Sequence, residues 1–439
     1  MKIFFSLKIF FSFLLFCRTE AILAKLSCDI SAPNAILINA DNGNVLFEKK
    51  AHERCYPAST TKVATVLYAL YKQEGQIQGR VLASHDTVGI VSAQTRRYSG
   101  KHPSYRLEFG GTHAGIKVGE DIDVQDLIHA VMIASANDAS NILAEWACGS
   151  VGQFMKELNL FLSQIGCANT TFTNPHGLPD DEHMTTAADL AKMAYYATKY
   201  PFFCSVVNKT KYEYPATNKQ PAFWMTQSNE LLRPGKYYYP YATGIKTGYT
   251  QKAGHNLIAS ASKGDRNLIA VICGCDERSK RYRSAVDLFE LAFNEVKQVR
   301  VLLSKESDLF HNEIEGAKNS LLAAMESDLT ISFYPSEEPI LLPKIEWMSL
   351  QLPVLPGQKV GQVYAVDGKG RKWEGRSLIA TKQVDPTWGY MVHQYLDNMK
   401  GWIKGHKVYI GYGVGICLVC TAFKLLKRKR LKRRRDRIL

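Results

Sequence analysis

The sequence predicts an α/β domain followed by a small all-β domain. Two observations carry this. Helical periodicity dominates from Val124 to Tyr200, with strand-like alternation before it near Ala35 and after it from Tyr241 to Ile272. Beyond about residue 297 the texture changes to short strands punctuated by proline and glycine. A chain of 439 residues suits two domains, and 46 % hydrophobic with 22 % charged residues is a globular composition.

The elements follow in chain order. AILINADNGNVLFEK alternates from Ala35, with Asp41-Asn42-Gly43 as a hairpin turn. Ala58 to Leu70 is helical, since Val63, Val66, Leu67 and Leu70 recur at helical spacing. Strands return at Tyr241–Ile272 around a Lys263-Gly264-Asp265 turn, and a helix over Ala285–Val296 closes the domain. Strands on both sides of a helical block imply one sheet built from both ends of the domain. Leu341–Thr381 contains short strands with Pro343, Pro353, Pro356, Gly357 and Gly361, and Asp367-Gly368 marks a further hairpin. Domain bounds of 28–296 and 297–384 follow, with a partly helical linker over 385–407.

Both termini carry address signals. Lys2 and Lys8 precede the apolar run Ile9–Cys17, and the small residues Ala21 and Ala24 follow, so 1–24 is an expected signal peptide. A short buried helix is the alternative, and bulky Phe16 argues against lipidation at Cys17. A second apolar run, Val408–Phe423, would span about 24 Å as a helix, near the lower limit for a bilayer core. Lys424 can extend it by snorkelling. The expected anchor is 408–424 and the basic cytoplasmic tail 425–439. An interfacial helix lying flat is the alternative.

The net charge of +14 resembles that of a nucleic-acid binder, but Lys424–Leu439 alone holds ten Lys or Arg against Asp436. The body is mildly basic, and nucleic acid is not expected as a partner. Positive charge stays cytoplasmic, which puts the body outside the membrane. Cys28, Cys55, Cys148, Cys167, Cys204, Cys273 and Cys275 then lie outside the cytoplasm, an odd set that leaves at least one thiol free or paired to another chain. Cys273 and Cys275 are expected on one face of a strand, which suits a core as well as a metal. No metal or cofactor is expected.

Three short motifs carry the chemistry. Ser59 and Lys62 lie at i and i+3 where a helix opens, so their side chains share a face. A serine hydroxyl is a weak nucleophile until a base takes its proton. A lysine can serve when burial and positive neighbours lower its pKa, and the helix N-terminus adds a positive field. Ser-x-x-Lys arises by chance roughly once or twice in such a chain. The second copy here, Ser260–Lys263, runs from strand to turn and would not share a face. Ser135-Ala136-Asn137 lies between two helices, where both residue types are also favoured caps. Lys246-Thr247-Gly248 sits in a strand, where a glycine often marks close backbone approach. The order Ser-x-x-Lys, Ser-x-Asn, Lys-Thr-Gly is the pattern of penicillin-binding proteins and class A β-lactamases.

The likeness extends along the body. Leu46–Leu70 with its PASTTK core, ASANDASNILAE (134–145), NPHGLPDDEHMTTAADLA (174–191), GIKTGYTQKAGHNLIASA (244–261) and PVLPGQKVGQVYAVDGKG resemble the low-molecular-mass penicillin-binding proteins of the D-alanyl-D-alanine carboxypeptidase type. The resemblance covers about residues 30 to 382 and implies a β-lactamase/transpeptidase-like first domain. It implies that Ser59 attacks the penultimate D-alanine carbonyl while Lys62 accepts its proton. The N–H groups of Ser59 and Tyr249 would form an oxyanion hole. Ser135 would relay the proton to the departing D-alanine, with Lys246 polarising the relay. Asn137 would hold the peptide amide, and Lys246, Thr247 and Arg281 would meet the terminal carboxylate. Substrate would lie along the strand containing Gly248. Stem peptides ending in D-Ala-D-Ala, β-lactams and, through the C-terminal helix, the bacterial cytoplasmic membrane are the implied partners. The catalytic domain would face the periplasmic side. Two positions depart from the usual pattern: Ala136 replaces a glycine and Tyr249 a common histidine.

Other residues are weaker candidates. His176 suits a structural role. Glu157-Leu158-Asn159 resembles part of a deacylation motif, but Phe154, Leu158 and Phe161 mark it as a helix face. Arg96–Arg106 is expected as a solvated loop. Alternatives to a carboxypeptidase are a D,D-endopeptidase or transpeptidase on the same site, a non-catalytic peptidoglycan-binding protein, and a β-lactamase.

Overall fold

A computed structural model describes residues 26–98, 100–368, 370–405 and 424. The expected signal peptide (1–24) and all of the expected anchor and tail except Lys424 lie outside the described residues. Among the described residues no helix is long and apolar enough to cross a membrane. The chain divides into two compact units, one running to Lys297 and including Tyr334–Glu338, the other comprising Gln298–Phe333 and the chain from Pro339.

The first unit is built on a five-stranded sheet. Its strands are β1 (Asn34–Asn39), β2 (Val45–Lys49), β3 (Ala242–Thr250), β4 (Gly254–Lys263) and β5 (Arg266–Cys275). Their order is β2-β1-β5-β4-β3, antiparallel throughout. The sheet therefore joins both ends of the unit, as the flanking strand patterns imply. Short turns make the pairing antiparallel, because a parallel pair needs a long crossover. Gly43 and Gly264 supply positive φ, +80° and +62°, at two of these turns.

Alternation sorts the sheet's side chains to two faces. Ile36, Ile38, Ile258, Ile269, Val271 and Cys273 join the larger core with the helical block. Leu37, Leu257, Leu268, Ala270, Ile272 and Cys275 join a second core against α7 (Arg278–Phe293). Cys273 and Cys275 thus lie in different cores, against the expectation of one shared face. Gly274 between them has φ +79°, and the register with β4 shifts there, so the alternation breaks. Helix α7 starts seven residues before the expected Ala285. Its first turns bury Arg281 and Tyr282, which an apolar pattern does not register.

The helical block holds α1 (Thr61–Lys72), α2 (Val124–His129), α3 (Asn137–Cys148), α4 (Val151–Gln164), α5 (Ala187–Ala197) and α6 (Pro201–Val207). α1 buries ten consecutive residues, Thr61 to Leu70. It is a central helix rather than an amphipathic surface one. Glu157 on α4 accepts from Tyr68, Lys72 and Gln153. These hydrogen bonds, Lys72's first, hold its carboxyl down at about 2, so it is a structural residue of the helix face.

The second unit contains β6 (Gln298–Leu303) paired with β9 (Leu329–Phe333). A five-stranded antiparallel sheet runs in the order β7-β8-β12-β11-β10. Its strands are β7 (Leu309–Asn312), β8 (Leu321–Met325), β10 (Leu341–Trp347), β11 (Lys359–Asp367) and β12 (Lys372–Ala380). Leu321, Ala323, Val360, Val363 and Leu378 form its core. Helix α8 (Trp388–Gly405) follows.

Candidate active site

Ser59 sits in a 3-10 turn, Ala58–Thr60, that runs directly into α1. Ala58 has φ +50°, a region that side chains with a Cβ rarely occupy. Three neighbours hold the turn. Gly177, at φ +89°, packs so closely that a Cβ there would lie 1.9 Å from the Ala58 carbonyl oxygen. A Cβ on Gly248 of β3 would lie 2.9 Å from Pro57 O and 3.1 Å from Ser59 N. Asn256 of β4 donates its amide to the carbonyls of Tyr56 (2.8 Å) and Pro57 (2.9 Å) and accepts from Gly274 N–H (2.8 Å).

Lys62 is fully buried beneath the serine. Its Nζ lies 3.0 Å from Ser59 Oγ, 2.7 Å from Asn137 Oδ1 and 2.7 Å from the His176 carbonyl. Burial, then the nearby Lys246 ammonium, pushes its pKa well below the usual lysine range. A neutral amine has two hydrogens and one lone pair. The amide oxygen and the carbonyl can only accept, so they take the two hydrogens. The lone pair then faces the Ser59 hydroxyl.

Lys246 of β3 is also fully buried. Its Nζ donates to Thr247 O at 3.1 Å. Burial and then the Arg281 charge pull its pKa down to about 7. Thr247 Oγ1 lies 2.6 Å from Ser228 Oγ. Arg281 stands behind the strand, 3.4 Å from the Gly248 carbonyl and 3.0 Å from the Tyr282 hydroxyl. It is buried and does not line the cleft.

The Ser-Ala-Asn stretch is shaped by an unusual turn. Ala130–Ala134 forms a π-helical turn that ends at Ser135 with φ +62°. Such turns and such backbone angles in non-glycine residues concentrate at functional sites. Neither Ser135 nor Asn137 caps α3, whose first turn follows Ala136 without a side-chain cap. Asn137 reaches Lys62 instead. Asp138 accepts the N–H groups of Ala114, Gly115 and Ile116 at 3.0, 2.9 and 3.1 Å, while Asn137 N–H donates to Thr112 O at 2.8 Å. The pair thereby fixes the loop that walls one side of the site.

A cleft of about 510 Å³ opens over Ser59. Asn137, Gly110, Gly111, Thr112, His176 and Tyr249 are among its walls, and Ser135, Lys62 and Lys246 lie outside its lining. Tyr249 is 58 % exposed and stacks on His255, ring centroids 4.3 Å apart. Among the described residues β3 pairs only with β4, so its other edge has no strand partner, and its end at Tyr249 and Thr250 lines the cleft.

His176, expected to be structural, lies in the cleft wall with both ring nitrogens turned to the backbone. Leu178 N–H donates to its Nδ1 (3.2 Å) and Nε2 lies 3.1 Å from Tyr105 O. Burial above all pushes the imidazole well below the usual histidine range, so it stays neutral. Arg96 departs from the expected solvated loop. It is buried and ion-paired to Glu108 at 2.6 Å, and it donates to Ser104 O and Pro179 O. A cation inside the wall is stable because a carboxylate and two carbonyls surround it. Gly177, Asn256, Asp138 and Ser228 complete the setting. Their partners lie tens to hundreds of residues away, beyond the reach of local pattern.

Comparison with known proteins agrees with this arrangement. The family described as D-alanyl-D-alanine carboxypeptidase matches residues 20–277. The D-alanyl-D-alanine carboxypeptidase DacF of Bacillus subtilis (strain 168) is 33 % identical over 264 residues, 60 % of this chain and 62 % of its own length. DacA of Haemophilus influenzae is 28 % identical over 350 residues, 77 % of this chain and 82 % of its own. Penicillin binding protein 5 from Haemophilus influenzae superposes with a TM-score of 0.55 at 24 % identity, over 82 % of this chain and 99 % of that one. DacD from Francisella tularensis gives 0.54 at 22 %, over 83 % and 97 %.

Fold and family likeness define a serine hydrolase of the penicillin-recognising fold. The chain belongs to the D-alanyl-D-alanine carboxypeptidase family, low-molecular-mass penicillin-binding proteins.

Proposed function

We propose that this enzyme removes the terminal D-alanine from peptidoglycan stem pentapeptides through a Ser59 acyl-enzyme that β-lactams also form. The observation that carries the reading is the Lys62 environment. Two obligate acceptors commit both amine hydrogens, so the lone pair is aimed at Ser59 Oγ 3.0 Å away. Ser59 attacks the penultimate carbonyl as Lys62 takes its proton. Ser59 and Tyr249 N–H groups hold the oxyanion, a reading supported by the close packing of Gly248 on the serine turn. Ser135 passes the proton to the departing amine. Lys246 and Thr247 receive the substrate carboxylate, Arg281 supporting them from behind the strand. The peptide pairs with the open edge of β3, and Asn137 holds its amide. Water then releases the shortened peptide.

The chain is exported and held at the cytoplasmic membrane by residues 408–424, with the catalytic unit on the outer face. The apolar runs and the basic tail support this address. The β unit serves as a spacer or as a partner platform.

Labelling with fluorescent penicillin tests the nucleophile: wild type takes one label and Ser59→Ala takes none. Equal labelling of both overturns the assignment. Mass spectrometry of treated muropeptides tests the reaction. Loss of one D-alanine is expected, and cleavage of cross-links in its place makes the enzyme an endopeptidase.

A further inference from the structure

Cys55 and Cys273 come from opposite ends of the first unit and meet beside the serine turn. Three observations fix the meeting. Asn256 ties Tyr56 and Pro57, next to Cys55, to Gly274, next to Cys273. Cys273 is buried in the larger core, and Cys55 packs on that core. The two thiols lie side by side, and the Cys55 thiol together with burial holds the Cys273 thiol well above the usual range. Cys55 is half-buried and Cys273 fully buried, so an oxidant from solvent meets Cys55 first.

We propose that Cys55 and Cys273 form a disulfide that fastens the segment leading into Ser59 to the central sheet. The oxidant is a small or protein disulfide. The Cys55 thiolate attacks one of its sulfurs, forming a mixed disulfide and expelling a thiolate. Cys273 then loses its proton and attacks Cys55 Sγ, expelling the second thiolate. Two protein thiols become one disulfide, and the oxidant gains two electrons and two protons as two thiols. Cys275 cannot replace Cys273, because it points into the opposite core. The bond adds a covalent tie where Asn256 already supplies hydrogen bonds, and it closes a long loop of chain, so it constrains the unfolded state strongly.

The test is peptide mapping of the full chain after incubation with glutathione disulfide and blocking of free thiols with N-ethylmaleimide. A Cys55–Cys273 linked pair that separates on reduction is expected. Both residues blocked by maleimide, or either one linked to another cysteine, overturns the proposal. Thermal unfolding gives a second reading, whose wild-type half needs no variant. Oxidation is expected to raise the wild-type Tm and to leave that of Cys273→Ser unchanged. A wild-type Tm indifferent to oxidation, or an equal rise in the variant, also overturns it.

Discussion

Two buried lysines set the chemistry at the residue scale, each held below the usual lysine range first by burial and then by a neighbouring cation, Lys246 beside Lys62 and Arg281 beside Lys246. Lys62 is neutralised by burial and by the Lys246 charge. Lys62→Met should therefore slow penicillin acylation by about 10²–10⁴-fold, the usual contribution of a positioned base. Acylation should fall on the acid side as Lys62 takes up a proton and loses its lone pair. Replacing Lys246 by glutamine removes a like charge, so Lys62 becomes more basic and the acid limb should move to higher pH. An unmoved limb would show that the two lysines are not coupled. Lys246 itself titrates at about 7. Below that pH it is an ammonium that can meet a carboxylate, and above it that attraction is lost. The KM for a peptide substrate should therefore climb as pH rises through about 7, while kcat holds. A KM flat across that range argues against Lys246 as the carboxylate contact.

At the scale of elements, the serine turn is a junction of α1, β3, β4 and the loop through Gly177. Gly177→Ala combines two penalties, a strained φ of +89° and a Cβ 1.9 Å from Ala58 O. Gly264→Ala has the strained φ, +62°, but open space around the new methyl. The first should lose about 1–3 kcal/mol more than the second in urea unfolding, the range for overpacking against fixed backbone. It should also slow acylation, since the adjacent His176 carbonyl orients Lys62. Equal losses would mean that the turn yields without cost. The three motifs were legible in the sequence because each is contiguous and each falls on the element its pattern predicts. The sheet was legible through two-residue alternation. What escaped has one cause. Asn256 acts on residues 199 and 200 positions away, and Arg96 inside the cleft wall becomes stable only once Glu108 and Pro179 are in place. Local pattern also missed Gly274, whose backbone angle sends Cys273 and Cys275 to opposite cores.

For the molecule as a whole, segment Tyr334–Glu338 belongs to the first unit although the strands on either side of it belong to the second. Buried Arg266 binds Glu337 at 2.6 Å and Glu295 at 2.9 Å, and Asn39 donates to Glu337 at 2.6 Å. Glu337→Ala leaves that guanidinium with one carboxylate instead of two. The loss should be on the order of 2–3 kcal/mol, somewhat below that for an abandoned buried ion pair. An unchanged urea midpoint would show the segment to be ornamental. The assembly of the serine turn has a wider reach. Its supports are Gly177, Gly248 and Asn256, all more than a hundred residues along the chain from Ser59, so no short fragment of the unit can place Ser59 against a prepared amine. A chain that has formed its helices but not closed its sheet should be inert to penicillin. The antibiotic then becomes a reporter of maturation: in a refolding time course, the fraction labelled at each instant would count only finished molecules and ignore every partly folded one.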